Sequence, residues 1–287
     1  MAAEHCGKRG PRRGRRVNLG RVAACVALAA VSVTTIYPML FMLSTALKGR
    51  REYLFNRYGL PLHPTGENFY NAWVHGKVGH YVGNSAIVVF ASVILSWVVC
   101  SLAAYALSHL RFPGRRWAFL AILGSMVIAP QVIIIPLYTM LIGLGLLNKH
   151  LGLILVYVTF ATPFGTYLLT SYFRSIPPDL AEAAEVDGAG HLQILWRVIL
   201  PVATPALVTL GIFNFLWMWN ELLLSLLILQ DDATRTLMVG VANLRGQYTT
   251  NIPLLSAGLF LAATPVLIVF LFFQAQLQKG MTMGAVK

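Results

Sequence analysis

Acidic side chains are scarce in this chain, and where they stand says most about its chemistry. Of ten Asp and Glu in 287 residues, Asp179, Glu182, Glu185 and Asp187 fall within nine positions. They belong to the run Pro177-Pro178-Asp179-Leu180-Ala181-Glu182-Ala183-Ala184-Glu185-Val186-Asp187-Gly188. The two prolines cannot continue a preceding helix, the alanines favour a new one, and Gly188 is a natural stop. Asp179 with Glu182 three positions later predicts a capping box, with Asp in the place usual for Ser or Thr. Leu180, Ala183 and Ala184 then share one face, a small-residue stripe beside a carboxylate-rich one. Another protein can approach such a face closely, and the carboxylates supply charged partners at its rim. A second helix is expected over 191–200, ending at Pro201. These are the features of a docking knob.

Glu221 is a different case, the one acid inside the apolar stretch 202–229. It follows Phe213, Asn214, Trp217, Trp219 and Asn220. Aromatic faces with nearby amides suit a sugar, whose C–H face stacks while its hydroxyls take hydrogen bonds. The plainer reading is a tryptophan-rich stretch at a membrane interface. Gln131 and Tyr138, beside Pro130 and Pro136, are candidates of the same kind. No Gly-x-x-x-x-Gly-Lys-Ser/Thr loop, which would cradle phosphates, occurs anywhere. Cys6, Cys25 and Cys100 lack metal-ligand spacing, and all seven histidines fall in loops or at the ends of apolar segments. A nucleotide hydrolase or a metal enzyme is thereby disfavoured, and no cofactor is expected in the chain.

The elements that must hold these residues are written in the composition. The chain is 57% apolar and only 11% charged, against about 25% charged residues in a typical soluble domain. Residues 22–47, 84–107, 117–148, 151–173 and 252–278 contain no Asp, Glu, Lys, Arg or His, and 202–229 contains Glu221 alone. About 20 apolar residues in a helix cross a hydrocarbon core, and every one of these segments is long enough. A backbone in lipid must satisfy its own polar groups, so helices are expected. The predicted fold is all-α, with six transmembrane helices. Prolines 38, 130, 136, 163, 205 and 265 fall inside them and are expected to kink the helices that carry them.

The net charge of +12 would suit nucleic acid if it were spread over a folded face. It is not. Lys8, Arg9, Arg12, Arg13, Arg15, Arg16 and Arg21 precede the first apolar segment, and Arg111, Arg115 and Arg116 crowd one short loop. With the N-terminus in the cytoplasm, 14 of the 22 Lys and Arg lie on the inner side. That asymmetry predicts N-in/C-in topology. The basic arm, residues 1–21, reads as an orientation signal and a contact with anionic membrane lipid, with no nucleic-acid partner. The first apolar run has 26 residues, against a core of about 7–15 in a cleaved leader, so it is read as an uncleaved span. Residues 22–278 form the membrane domain, with a long inner loop at 174–201 between spans 4 and 5, and 279–287 form a short cytoplasmic tail.

With this frame in place, a family resemblance becomes visible. Glu182-Ala183-Ala184, then Gly188, then Val198-Ile199-Leu200-Pro201 resembles the "EAA" loop of permease subunits of bacterial ABC importers, with Val198 where Ile is usual. Asp187-Gly188-Ala189, Leu200-Pro201 with Pro205, Trp219-Asn220-Glu221, Gly246-Gln247-Tyr248 and the terminal Gly280-Met281-Thr282-Met283-Gly284-Ala285-Val286-Lys287 are similar to the carbohydrate-type branch, which includes the maltose permease's second subunit. The likeness runs from about Arg21 to the end. It implies that Asp179, Glu182, Ala183, Ala184, Asp187, Gly188, Ala189, Leu200 and Pro201 couple to a separate ATPase. It also implies that Thr282, Gly284 and Lys287 touch that ATPase, and that Gly246, Gln247 and Tyr248 meet an external solute-binding protein. Gln131, Asn214, Trp217, Asn220 and Glu221 are candidates for the translocation path.

The partners implied are a second homologous permease, an ATPase dimer that binds ATP and Mg, and a binding protein outside the bacterial cytoplasmic membrane. An ion-coupled secondary transporter or channel is the rival class. Such carriers usually place several ionisable groups at mid-membrane, often in two repeats. One carboxylate and no visible repeat suit that poorly.

Overall fold

The computed structural model describes residues 19–247 and 251–283. Among the described residues, the regular elements are all helical. In chain order they are α1 (Leu19–Ala46), α2 (Arg50–Phe55), α3 (Glu67–Trp73), α4 (Val78–His109), α5 (Arg115–Gly124), α6 (Ile134–Gly143), α7 (His150–Phe173), α8 (Asp179–Val186), α9 (His191–Ile194), α10 (Leu200–Val202), α11 (Thr204–Asn220), α12 (Leu223–Ile228), α13 (Leu237–Gln247) and α14 (Ile252–Met283). Two short 3-10 turns, Ser125–Val127 and Pro130–Ile133, join α5 to α6, and a π turn, Leu195–Ile199, joins α9 to α10.

Four helices are long and apolar enough to cross a membrane by themselves, within α1, α4, α7 and α14. Two further pairs qualify when each is taken as one broken span. Arg115–Val127 with Pro130–Gly143 bends by 88°, and His191–Val202 with Thr204–Asn220 bends by 80°. Four to six spans therefore fit length and composition.

The first bend follows from one residue. Pro130 offers no N–H and crowds the residue before it, and Ala129 accordingly adopts φ −67°, ψ 136°. At the second bend Ala203 leaves helical geometry (φ −85°, ψ 5°), and Pro205 sits in the first turn of the helix that restarts. By contrast, Pro38, Pro163 and Pro265 remain inside continuous helices.

α4 and α7 lie side by side over much of their length. A Cβ at Gly165 would stand 2.5 Å from Cys100 Sγ, so glycine is what lets the two helices close here. The buried side chains fall into two clusters. One gathers Val78, Tyr81, Val88, Leu153, Tyr157, Met218, Leu237, Leu244 and Leu254. The other gathers Cys100, Ala104, Tyr105, Leu169, Phe173, Ala181, Ile194, Leu195, Ile199 and Leu210. That second cluster seats the acidic helix α8 on the ends of α4 and α7.

One expectation from the sequence is corrected in detail. The helix predicted over 191–200 does not end at Pro201 but runs to Val202, with Pro201 in the first turn of α10, where proline is tolerated. The outer connection after α1 holds two short helices, α2 and α3. The connection between the apolar segments 202–229 and 252–278 contains α13, whose Leu237, Val241 and Leu244 form a helical stripe buried in the first cluster.

Candidate functional site

α8 projects as a short helix with a buried heel. Ala181 is buried and Ala184 half-buried against the second cluster, while Leu180, Glu182, Ala183, Glu185, Val186 and Asp187 are exposed. Its start departs from the expected capping box. Asp179 is the first helical residue, Pro178 stands at the N-cap, and no side chain caps the end. The carbonyls of Pro177 and Pro178 instead accept the N–H groups of Leu180 (3.3 Å), Ala181 (3.0 Å) and Glu182 (3.1 Å). Asp179 and Glu182 are left in the first turn, where a carboxylate complements the positive end of the helix dipole.

The far end closes as a Schellman motif. Ala189 N–H donates to the Ala184 carbonyl (2.9 Å) and Gly188 N–H to that of Glu185 (3.0 Å), with Gly188 at φ +83°. A side chain at 188 would find open space but a strained backbone. Glycine is therefore demanded by conformation, not by crowding. Beyond it, Gln193 Oε1 accepts the Gly190 N–H (3.2 Å) and starts α9. Leu200 is buried in the second cluster and Pro201 is exposed.

The knob is tied to the bundle by a ring cluster. Tyr105 of α4 stacks on His109 with centroids 4.9 Å apart, and its hydroxyl lies 3.4 Å from His191 Nδ1. The His109 ring meets Phe173 of α7 edge-on at 6.5 Å.

The residues singled out around Glu221 separate. Asn214 is 4% exposed and donates to Ser96 Oγ of α4 (2.9 Å), so its amide joins two helices inside the chain. Trp219 is buried likewise, its Nε1–H donating to the Ala262 carbonyl (3.1 Å). Glu221 sits where α11 ends. Its backbone is extended (φ −74°, ψ 122°), and its carboxylate accepts the N–H groups of Leu224 (2.8 Å) and Ser225 (3.0 Å) and the Tyr157 hydroxyl (3.1 Å). It caps α12.

Trp217, Asn220 and Gln131 remain open. Trp217 borders a cavity of about 500 Å³ lined mainly by Met126, Ile128, Leu137, Met140, Phe160 and Pro163. Gln131 is exposed on the turn of the first bend, and Tyr138 reaches Gln230 Nε2 at 3.3 Å.

On the opposite face, sequence reading missed a charged clasp. Asp232 accepts Lys77 Nζ (2.5 Å), the Tyr81 hydroxyl (2.6 Å) and Arg235 Nη1 (3.1 Å). The Lys77 and Tyr81 hydrogen bonds hold its carboxyl at about 2, below the usual 3.8. Asn148, at φ +58°, accepts the N–H groups of Gln230 (2.7 Å) and Asp231 (3.2 Å) beside it. An Asn in a short turn was the available signal there, since Asn tolerates positive φ.

Gly246 and Gln247 end α13, and Thr282 lies in the last turn of α14. Tyr248, Gly284 and Lys287 lie outside the described residues. Among those described, no three His, Cys, Asp or Glu side chains are placed to hold a metal ion.

Residues 98–283 match the family model described as "Binding-protein-dependent transport system inner membrane component". The chain belongs to this family. The match takes in α8, the ring cluster's His109 and His191, and both ends of the second bend. Two family relatives agree over most of the chain. The diacetylchitobiose uptake system permease protein of Streptomyces coelicolor is 38% identical over 255 residues, 88% of this chain and 84% of that one. The trehalose transport system permease protein of Mycobacterium tuberculosis is 37% identical over 206 residues, 71% and 75% of the two chains. A crystal structure of a bacterial ABC transporter involved in the import of the acidic polysaccharide alginate superposes with a TM-score of 0.80, at 25% identity, over 93% of this chain and 99% of that one. As a family member, the chain is an inner-membrane permease component of an ABC importer, a transport subunit and not a catalytic enzyme.

Proposed function

We propose that this chain forms half of the pore of an ATP-driven sugar importer, with six spans, both termini cytoplasmic, and α8 as the plug that a separate ATPase dimer moves. The observation that carries this reading is the build of α8. Its outward face sets the apolar Leu180, Ala183 and Val186 among carboxylates, its inner face is fixed in the second cluster through Ala181 and Ala184, and a glycine in left-handed conformation closes it. A close-fitting, well-anchored helix is what a neighbour needs in order to push on the spans. Exposed Leu180, Ala183 and Val186 supply the contact and Glu182, Glu185 and Asp187 its charged rim. ATP and Mg belong to that partner. Thr282, Gly284 and Lys287 are assigned to the same contact, from the other side.

A second homologous permease completes the path. If the bent pair is one span, the 88° bend leaves non-helical backbone at 128–129 within it, with Val127, Val132 and Gln131 exposed. Such backbone cannot face lipid; it is tolerated against protein or a water-filled cavity. The partner and the path therefore belong on this face, with Gln131, Trp217 and Asn220 toward the solute. Asn214 and Glu221 support the path as internal struts. A di- or oligosaccharide or related polyol is the substrate class, because the named relatives carry diacetylchitobiose and trehalose and the superposed transporter serves alginate. An external binding protein delivers it to the side bearing Gly246, Gln247 and Tyr248.

The test is uptake of labelled oligosaccharide by vesicles holding both permeases, the ATPase and the binding protein. Uptake should be abolished by vanadate and indifferent to collapse of ion gradients. Uptake that follows the ion gradient instead would overturn the proposal.

A further inference from the structure

Residues 48–63, between α1 and α3, turn Lys48, Glu52 and Asn56 toward their own backbone and leave their large apolar side chains outward. Lys48 is fully buried, and its ammonium donates to the carbonyls of Asn56 (2.9 Å), Arg57 (3.3 Å) and Gly59 (2.6 Å). The Glu52 carboxylate accepts the N–H groups of Leu62 (2.5 Å) and His63 (3.4 Å). Asn56 bridges the turn, accepting from Gly59 N–H (2.9 Å) and donating to the Leu60 carbonyl (2.9 Å). Asn68 ties the root of the loop to the carbonyls of Ala46 (2.7 Å) and Lys48 (2.8 Å). A loop closed by this many internal bonds holds its outward side chains in place. Those are Leu54, Phe55, Tyr58, Leu60 and Leu62, with Phe55 93% and Leu60 80% exposed.

What covers them is indicated by continuity. The Tyr58 ring lies 6.3 Å from Phe41 of α1, which stacks in turn on Tyr37 at 6.2 Å. α1 is apolar from Ala24 to Ala46, and none of its most apolar stretch is buried in the chain. The loop extends that apolar surface at its end. Arg51 stands one turn before Phe55, and the Arg57 guanidinium lies 5.5 Å from the Tyr53 ring centre. Aromatic and basic side chains mixed at the end of a span are the composition of the headgroup layer.

We propose that residues 48–63 form an interfacial foot, seating Phe55, Tyr58, Leu60 and Leu62 in the headgroup–acyl boundary of the leaflet that α1 reaches at its C-terminal end. Arg51 and Arg57 meet lipid phosphates there. The foot fixes the height of α1, and through Lys48 and Asn68 that of α3, against the bilayer. The inference needs α1 to be a span and is independent of how α8 is used.

The test places a nitroxide at Phe55→Cys in the assembled transporter, with Cys6 and Cys25 replaced by Ala, in vesicles of phosphatidylcholine and phosphatidylglycerol. Oxygen should relax the label more than a water-soluble nickel chelate does, as for a reference label at Leu28→Cys on α1. The preference should persist when the binding protein is added. Stronger relaxation by the chelate would overturn the proposal, since the site would then be in water. Shielding from both relaxants, or immobilisation by the binding protein, would overturn it in favour of a protein partner. A second label at Leu60→Cys reads the same surface, so a folding defect at one site cannot decide the matter.

Discussion

The Tyr157 hydroxyl donates to the Glu221 carboxylate at 3.1 Å, joining α7 to the point where α11 breaks. The same carboxylate takes the first N–H groups of α12, Leu224 at 2.8 Å and Ser225 at 3.0 Å. A charged group inside an apolar segment is costly unless it is this well partnered.

Glu221→Ala leaves two helix N–H donors without their acceptor and the buried Tyr157 hydroxyl with Ser225 Oγ (2.7 Å) as its remaining partner. Each such loss costs about 1–3 kcal/mol, so the thermal midpoint of the purified complex in detergent should fall clearly. Glu221→Gln keeps one acceptor oxygen and should fall less. Loss of uptake with an unchanged midpoint in both variants would return Glu221 to the path.

The Asp232 clasp is pH-dependent with a defined sign. Its carboxyl is held at about 2 against the ordinary 3.8, so ionisation favours the folded loop. That contribution is complete above about 4 and is lost as pH falls through about 2. Asp232 is 44% exposed, and salt should weaken the clasp. A spin label at Gln230→Cys should be immobile from neutral pH down to about 4 and gain mobility below. Mobility that rises between pH 7 and 5 would contradict the assignment.

Gly165→Val tests the closest approach of the long helices. The added Cβ would meet Cys100 Sγ at 2.5 Å, and overpacking costs about 1–3 kcal/mol. The variant should show a lower melting temperature, and Cys100→Ala in the same chain should restore part of it. No restoration would mean the helices part there without cost.

Local features were legible in the sequence. The apolar runs located the spans, and Pro177-Pro178, the alanines and Gly188 bounded α8, because helix starts and stops are set within a turn of chain. The capping box failed on a local detail: the proline carbonyls had already taken the donors that Asp179 would have served. Contacts distant along the chain stayed hidden. Glu221 meets Tyr157, Asn214 meets Ser96 and Asp232 meets Lys77, each pair more than 60 residues apart. No periodicity announces such pairs, so the partners of Glu221 and Asn214 and the clasp were not seen.

The coupling role of α8 is tested most directly by sugar-stimulated ATP hydrolysis, measured with uptake in vesicles carrying the complete transporter. In Gly188→Asp the left-handed turn is strained, and in Ala184→Lys the half-buried heel is displaced. Both chains should insert and assemble, yet lose uptake and the stimulation of hydrolysis by bound sugar. Normal stimulation and uptake in both variants would contradict the account.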